Sequence, residues 1–63
     1  MYAFISTPDG LYKIYAHGAD WQVKGPDGFE RWFSAWRADN KASLARVVRN
    51  IPSADYADLV ICG

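Results

Sequence analysis

The stretch DNKASLARVVRNI, Asp39–Ile51, predicts the one long helix of this chain. Its larger apolar residues recur at i, i+3, i+4 and i+7, a spacing that places them on one side of a helix. These residues are Leu44, Val47, Val48 and Ile51. Asp39 or Asn40 can act as the N-cap, and Pro52 prevents continuation of the helix. We therefore expect a helix over 39–51 whose apolar side covers a sheet.

The segment before the helix is predicted to begin with a β-hairpin. Two apolar runs, Tyr2–Thr7 and Leu11–His17, flank Pro8-Asp9-Gly10, whose residues are typical of a hairpin loop. If the loop places Thr7 opposite Leu11, one face of the hairpin is the better candidate for the core. That face carries Tyr2, Phe4, Ser6, Tyr12, Ile14 and Ala16. The other face then carries Ala3, Ile5, Leu11, Lys13, Tyr15 and His17.

Two further strands are predicted before the helix. Trp21–Lys24 alternates between apolar and polar residues, which indicates a half-buried strand with Trp21 facing inward beside Val23. The turn sequence at 25–28 favours another strand over 29–36, although the aromatic residues of that segment also fit helical spacing. We favour the strand because aromatic residues have high β propensity. Its register leaves open whether Trp32 or Phe33 joins the core.

The apolar run Leu59–Cys62 predicts a short C-terminal strand. An apolar strand with an unpaired edge promotes aggregation, so this strand must lie beside another one. The preceding connection spans on the order of 25 Å when extended, which permits pairing in the same chain or in a partner. The expected fold class is therefore α+β, in one domain over 1–63. It combines an antiparallel meander of three to four strands, one helix across the sheet, and a C-terminal strand that a dimer can exchange.

Size and composition indicate a protein that needs a partner subunit. A chain of 63 residues buries only about 60% of the surface that it exposes when unfolded. Cys62 is the only cysteine, so an internal disulfide is excluded and a reducing compartment is favoured. Met1–Ser6 lacks the features of a signal peptide, and the chain has no apolar run of membrane-spanning length. We expect a cytoplasmic homodimer without membrane contact.

The order of the predicted elements and several short motifs resemble the YegP-like family of small βββαβ proteins. The matching segments lie between about residues 11 and 58. They are Ile14-Tyr15, Trp21–Lys24, Asp27-Gly28, Ser34, Trp36, Lys41–Ser43 and Val47–Ala54. The resemblance implies a βββαβ unit used in tandem or as a homodimer that shares one sheet and exchanges C-terminal strands. It implies no activity, because the biochemical role of that family is not established.

Residues with catalytic chemistry are sparse and isolated in the sequence. His17 has no nucleophile or substrate proton nominated beside it, so we interpret it as a strand-end residue. Cys62 lies in an apolar run, where a buried or interface thiol is the usual role. Asp55 and Asp58 fit a solvated connection. We therefore predict a non-enzymatic protein with no catalytic residues, no cofactor and no metal site.

Aromatic and basic residues supply the candidate binding sites. Basic residues exceed acidic ones by three over 29–50, and the rest of the chain has the opposite excess, so the total charge is zero. The candidate partner-binding residues are Trp32, Trp36, Arg37, Arg46 and Arg49, and the candidate dimer interface is Leu59, Val60, Ile61 and Cys62. Exposed tryptophans are frequent binding anchors, whereas a solvated helix face also explains the arginines. A dimer core likewise explains the tryptophans.

Three functional hypotheses follow from these features. The first is a homodimeric protein-binding or structural module, because aromatic residues are abundant and catalytic ones are lacking. The second is single-stranded nucleic-acid binding, with bases stacked on sheet aromatics and arginines on the backbone. The arginines meant are Arg31, Arg37, Arg46 and Arg49. The third is an inhibitor of a larger host complex, encoded by a phage or mobile element.

Overall fold

The computed structural model describes residues 2–34 and 41–62. Its main elements are β1 (Tyr2–Thr7), β2 (Gly10–His17), β3 (Asp20–Lys24), β4 (Glu30–Ser34), α1 (Lys41–Arg49) and β5 (Leu59–Cys62). Short 3-10 turns precede β4 and β5, at Pro26–Gly28 and Tyr56–Asp58. The predicted α+β class is confirmed. The strand over 29–36 is confirmed for Glu30–Ser34, whereas Trp36, Arg37 and the proposed N-cap residues Asp39 and Asn40 lie outside the described residues.

The five strands form one antiparallel sheet in the order β4-β3-β2-β1-β5. The first four strands follow each other as a meander, because short turns can join only neighbouring antiparallel strands. β5 then pairs with β1 of the same chain, with Ile5 opposite Leu59 and Tyr2 opposite Cys62. The sheet edges are therefore β4 and β5. The exchange of β5 between two copies stays a prediction.

The first hairpin has a different register from the one that the sequence predicts. Thr7 lies opposite Gly10, so the loop contains two residues, Pro8 and Asp9. The hydroxyl of Thr7 donates to the carbonyl of Gly10 and accepts from the N–H of Asp9, both at 3.1 Å. A shift of one residue moves a whole strand to the opposite face. The predicted core face is therefore wrong for β1, where Ala3 and Ile5 replace Tyr2, Phe4 and Ser6.

The core lies between the sheet and α1. Ten apolar side chains are buried there, namely Ala3, Ile5, Tyr12, Ile14, Trp21, Val23, Leu44, Val47, Val48 and Ile51. The four residues of the predicted helical stripe are buried as expected, although α1 ends at Arg49 and Ile51 lies beyond it. The inward positions of Trp21 and Val23 are also confirmed. Phe33 lies opposite Trp21 and packs against this core, whereas Trp32 is 56% exposed. The structure thus places Phe33, and not Trp32, on the covered face of β4.

The two Pro-Asp-Gly turns meet at one end of the sheet. The ring of Tyr12 packs edge-on against Phe29, with 5.2 Å between ring centroids. A Cβ atom at Gly25 would overlap the Tyr12 ring, so only glycine leaves space for this contact. Asp27 adopts a φ of 57°, in the left-handed region. This end of the sheet therefore depends on close contact between backbone and an aromatic ring.

Candidate functional site

Helix α1 covers one face of the sheet. The other face has no covering helix among residues 2–34 and 41–62, and we call it the outer face. Residues directly opposite each other on neighbouring strands share a face of the sheet. The register therefore assigns every strand residue to one side. The outer face carries Tyr2, Phe4, Ser6, Leu11, Lys13, Tyr15, His17, Asp20, Gln22, Lys24, Glu30, Trp32, Ser34, Val60 and Cys62.

Five rings on the outer face form a continuous series, the aromatic row. Tyr2 stacks on Tyr15 with 5.6 Å between centroids and 15° between planes. Phe4 adjoins Tyr2 at 6.2 Å, and His17 adjoins Tyr15 at 6.3 Å. His17 also lies 5.3 Å from Trp32, which completes the row across the sheet. Such separations are typical of interacting rings, so the row is already arranged before any partner binds.

The aromatic row lies within a larger apolar surface. Trp32 is 56% exposed and Tyr2 is 37% exposed. Leu11 and Val60, on the same face, are each 45% exposed. Between the rings, Gln22 is almost buried and donates from Nε2 to Oε2 of Glu30 at 3.1 Å. Large exposed apolar side chains with charged neighbours are the usual composition of a binding surface.

Two lysines lie beside the aromatic row. Lys13 is directly opposite Lys24, and both side chains are exposed on the outer face. Like charges in opposite positions of adjacent strands are unfavourable. Glu30 lies opposite Lys24 on the other side, so one carboxylate accompanies the two ammonium groups. The outer face therefore combines rings with a local pair of positive charges.

Among the described residues, the predicted sites Trp32, Arg46 and Arg49 do not form one surface. Trp32 lies on the outer face, whereas Arg46 and Arg49 belong to α1 on the covered side. Arg46 donates from Nη2 to the carbonyl of Ser34 at 2.7 Å, so it ties the helix to the end of β4. Arg49 is exposed on the helix. The structure brings Trp32 together with other rings and separates it from these arginines.

The candidate dimer residues lie along β5, at one edge of the sheet. Leu59 is half-buried and packs against the core, and Cys62 is half-buried with a free thiol. Val60 and Ile61 are each 45% exposed, on opposite faces of the strand. Among residues 2–34 and 41–62, only β1 pairs with β5. The far side of β5 is thus an apolar strand edge.

A shallow cleft of about 380 Å³ lies where the two Pro-Asp-Gly turns meet. It is lined by Asp9, Tyr12, Pro26, Asp27, Gly28, Phe29 and Pro52. Within the described part of the chain, no group of three or more histidine, cysteine, aspartate or glutamate residues is placed to hold a metal ion. The titratable groups of this lining are the carboxylates of Asp9 and Asp27 and the hydroxyl of Tyr12.

The sequence misplaces two of the five rings of the aromatic row. Tyr2 and Phe4 are predicted in the core, although they point away from it. One signal in the sequence points the other way, because Ser6 shares their face of the strand and a polar residue fits the outer face better than the core. Tyr15 and His17 are placed correctly opposite the core face, but the sequence does not show that they stack.

Comparison of the chain with models of protein families, with curated proteins and with solved structures finds no match. The resemblance to the YegP-like family therefore stays a prediction. Within the described residues, no helix is long and apolar enough to cross a membrane. What the fold and the site define is a class: a small α+β protein with a helix on one face of a five-stranded sheet and an aromatic row on the other.

Proposed function

We propose that this protein is a non-enzymatic, homodimeric binding module whose outer face contacts a partner protein. The observation that supports the proposal is the aromatic row, which extends across the sheet from Phe4 to Trp32. Aromatic side chains dominate the energetics of protein interfaces because each one buries a large area. Rings on the outer face gain buried area when another molecule contacts them, so the row is suited to be a contact surface.

The row is suited to binding because its parts are rigid. Side chains that must be immobilised on association each cost about 0.5–1.5 kcal/mol. Tyr15 is held between two neighbouring rings, and Gln22 beneath the row is held by its hydrogen bond to Glu30. Much of this ordering is therefore complete before binding. Trp32, at the exposed end of the row, is the expected anchor.

The test compares two aromatic residues of similar exposure. Trp32→Ala removes the proposed anchor, and Tyr56→Ala removes a ring that is 44% exposed but lies outside the sheet. Partners are captured from the cytosol of the producing cell, identified by mass spectrometry, and their affinity is measured by calorimetry. We expect Trp32→Ala to raise the dissociation constant of a stoichiometric partner about thirtyfold, as for an interface hot spot. Tyr56→Ala should leave that dissociation constant unchanged. Equal effects of both variants contradict the proposal.

A second candidate function is binding of single-stranded nucleic acid by the same face. The observation that favours it is the pair of Lys13 and Lys24 beside the aromatic row. Bases stack on exposed rings with little sequence preference, while nearby cations contact phosphates. This differs from the arrangement expected from the sequence, in which arginines contact the backbone. Here the cations on the outer face are lysines.

Titration of a labelled single strand at low salt separates the two functions. If nucleic acid binds, Lys13→Gln should reduce the slope of log affinity against log salt by about 0.7, the value for one phosphate contact on a single strand. Arg49→Gln, a change of equal charge on the helix, should leave that slope unchanged. Absence of binding at low salt excludes this second function and leaves the first intact.

A further inference from the structure

The two edges of the sheet differ in how they are protected. β4 carries two charged residues, Glu30 and Arg31. The guanidinium of Arg46 also donates a hydrogen bond to the carbonyl of Ser34, at the end of this strand. Charged residues and covered backbone groups are the usual means by which proteins prevent edge-to-edge pairing. β5 has no charged residue between Leu59 and Cys62. Within residues 2–34 and 41–62, the β4 edge therefore carries protecting charges and the β5 edge carries none.

The open edge is apolar on both sides of the sheet. Val60 is 45% exposed on the outer face, and Ile61 is 45% exposed on the face that α1 covers. An uncharged strand is compatible with its own copy, because no like charges meet when two such strands run antiparallel. A strand edge also has backbone N–H and C=O groups that need partners.

We propose that the free edge of β5 pairs antiparallel with β5 of a second copy, which joins two sheets into one of ten strands. This inference rests on the proposed homodimeric function and specifies how the dimer forms. Each β5 keeps its pairing with β1 of its own chain, so no strand is exchanged. We assign a second copy to the β5 edge for two reasons. The strand is self-complementary, and a chain of 63 residues gains from the pairing buried surface that it needs.

The symmetry of such a dimer restricts its register. A two-fold axis perpendicular to the sheet keeps each face on the same side, so opposite residues must share a face. Val60 opposite its own copy meets this condition and places Leu59 of each chain opposite Ile61 of the other. Both exposed residues of β5 are then covered. The two outer faces also become continuous, because Val60 lies beside Phe4 of the aromatic row.

The test uses two substitutions of equally exposed residues. Val60→Lys puts a charge on β5, whereas Leu11→Lys puts the same charge on the outer face away from β5, and both residues are 45% exposed. Sedimentation velocity is measured over a concentration series. We expect dimers for the unmodified protein and for Leu11→Lys, and a dissociation constant at least about tenfold higher for Val60→Lys. A monomer at all concentrations, or equal dimers of all three proteins, overturns the proposal.

Hydrogen exchange on the unmodified protein keeps the proposal testable if Val60→Lys does not fold. Amides of Leu59–Cys62 should gain protection as concentration rises, and those of Glu30–Ser34 should not. Protection that rises at β4, or that does not rise at β5, overturns the edge pairing. Failure of the proposed function is separate, because it is read from partner capture by Trp32→Ala. Equal capture by Trp32→Ala and by the unmodified protein, with the dimer intact, contradicts the outer-face function alone.

Discussion

At the scale of single residues, close contact around Tyr12 sets how the turn end of the sheet packs. Its ring lies against the backbone of Gly25 and against the ring of Phe29. Gly25→Ala should lower the free energy of unfolding by about 1–3 kcal/mol, because the added methyl group overlaps the ring. Urea denaturation of the purified protein measures this change.

Gly18→Asn is the matched control for Gly25→Ala. Gly18 has a φ of 60°, and a Cβ atom there meets nothing within 4 Å. Asparagine tolerates this left-handed conformation better than most residues do. We therefore expect a change of less than about 1 kcal/mol at Gly18. If both substitutions have the same cost, contact with Tyr12 is not the reason that position 25 holds glycine.

Single residues also explain why the sequence misplaces Tyr2 and Phe4 of the aromatic row. Tyr2 and Phe4 have larger side chains than Ala3, which alternates with them, so the pattern alone predicts that they face inward. The bond network of Thr7 selects a two-residue loop, and that choice turns the strand over. The amino-acid composition of the loop does not determine whether it contains two or three residues. Positions that depend on periodicity alone, such as Leu44 and Trp21, are predicted correctly.

At the scale of elements, the stability of α1 depends on its apolar side. Leu44 is completely buried, and Leu11 is 45% exposed. Leu44→Ala should lower the free energy of unfolding by about 2–5 kcal/mol, because it removes buried methyl groups and leaves a cavity. Since small cores rarely supply more than about 3–5 kcal/mol, much of the variant should be unfolded at room temperature. Circular dichroism measures this fraction, and Leu11→Ala should remain folded.

The bond from Arg46 to Ser34 joins the helix to the edge of the sheet. Because this bond is exposed, Arg46→Ala should lower the free energy of unfolding by at most about 1 kcal/mol. Its larger effect should be local, as faster amide exchange in β4. Arg49→Ala, on the same helix, should change neither quantity. Unchanged exchange in β4 after Arg46→Ala would show that the bond does not hold this edge.

At the scale of the whole molecule, the pairing of β5 decides how copies assemble. Tyr2 lies opposite Cys62, and opposite residues of an antiparallel pair are near enough for a disulfide. Oxidised Tyr2→Cys should therefore close a disulfide within one chain. A denaturing gel without reductant should show a compact monomer, and Phe4→Cys should not close. A covalent dimer of Tyr2→Cys instead indicates strand exchange.

The architecture as a whole follows from the sequence more closely than the assembly does. Turn residues and the helical stripe predict the order of elements, because each depends on nearby residues. The place of Leu59–Cys62 depends instead on strands distant in the chain, and either β1 or a second copy satisfies an apolar run. The pattern of charges likewise does not show that Arg46 donates to the carbonyl of Ser34, or that Trp32 lies on the outer face of the sheet. Contacts between distant segments are what the sequence leaves open.

The pairing of the first strand with the fifth also affects how the chain is synthesised. β1 leaves the ribosome before the other four strands of this sheet, but one of its sides is completed only when Leu59–Cys62 has been made. Until then Ile5 and its neighbours present an open apolar edge, which invites pairing with other nascent chains. Pairing of such distant segments also slows folding. The interval between the synthesis of β1 and that of β5 is therefore the period in which this protein is most exposed to misassembly.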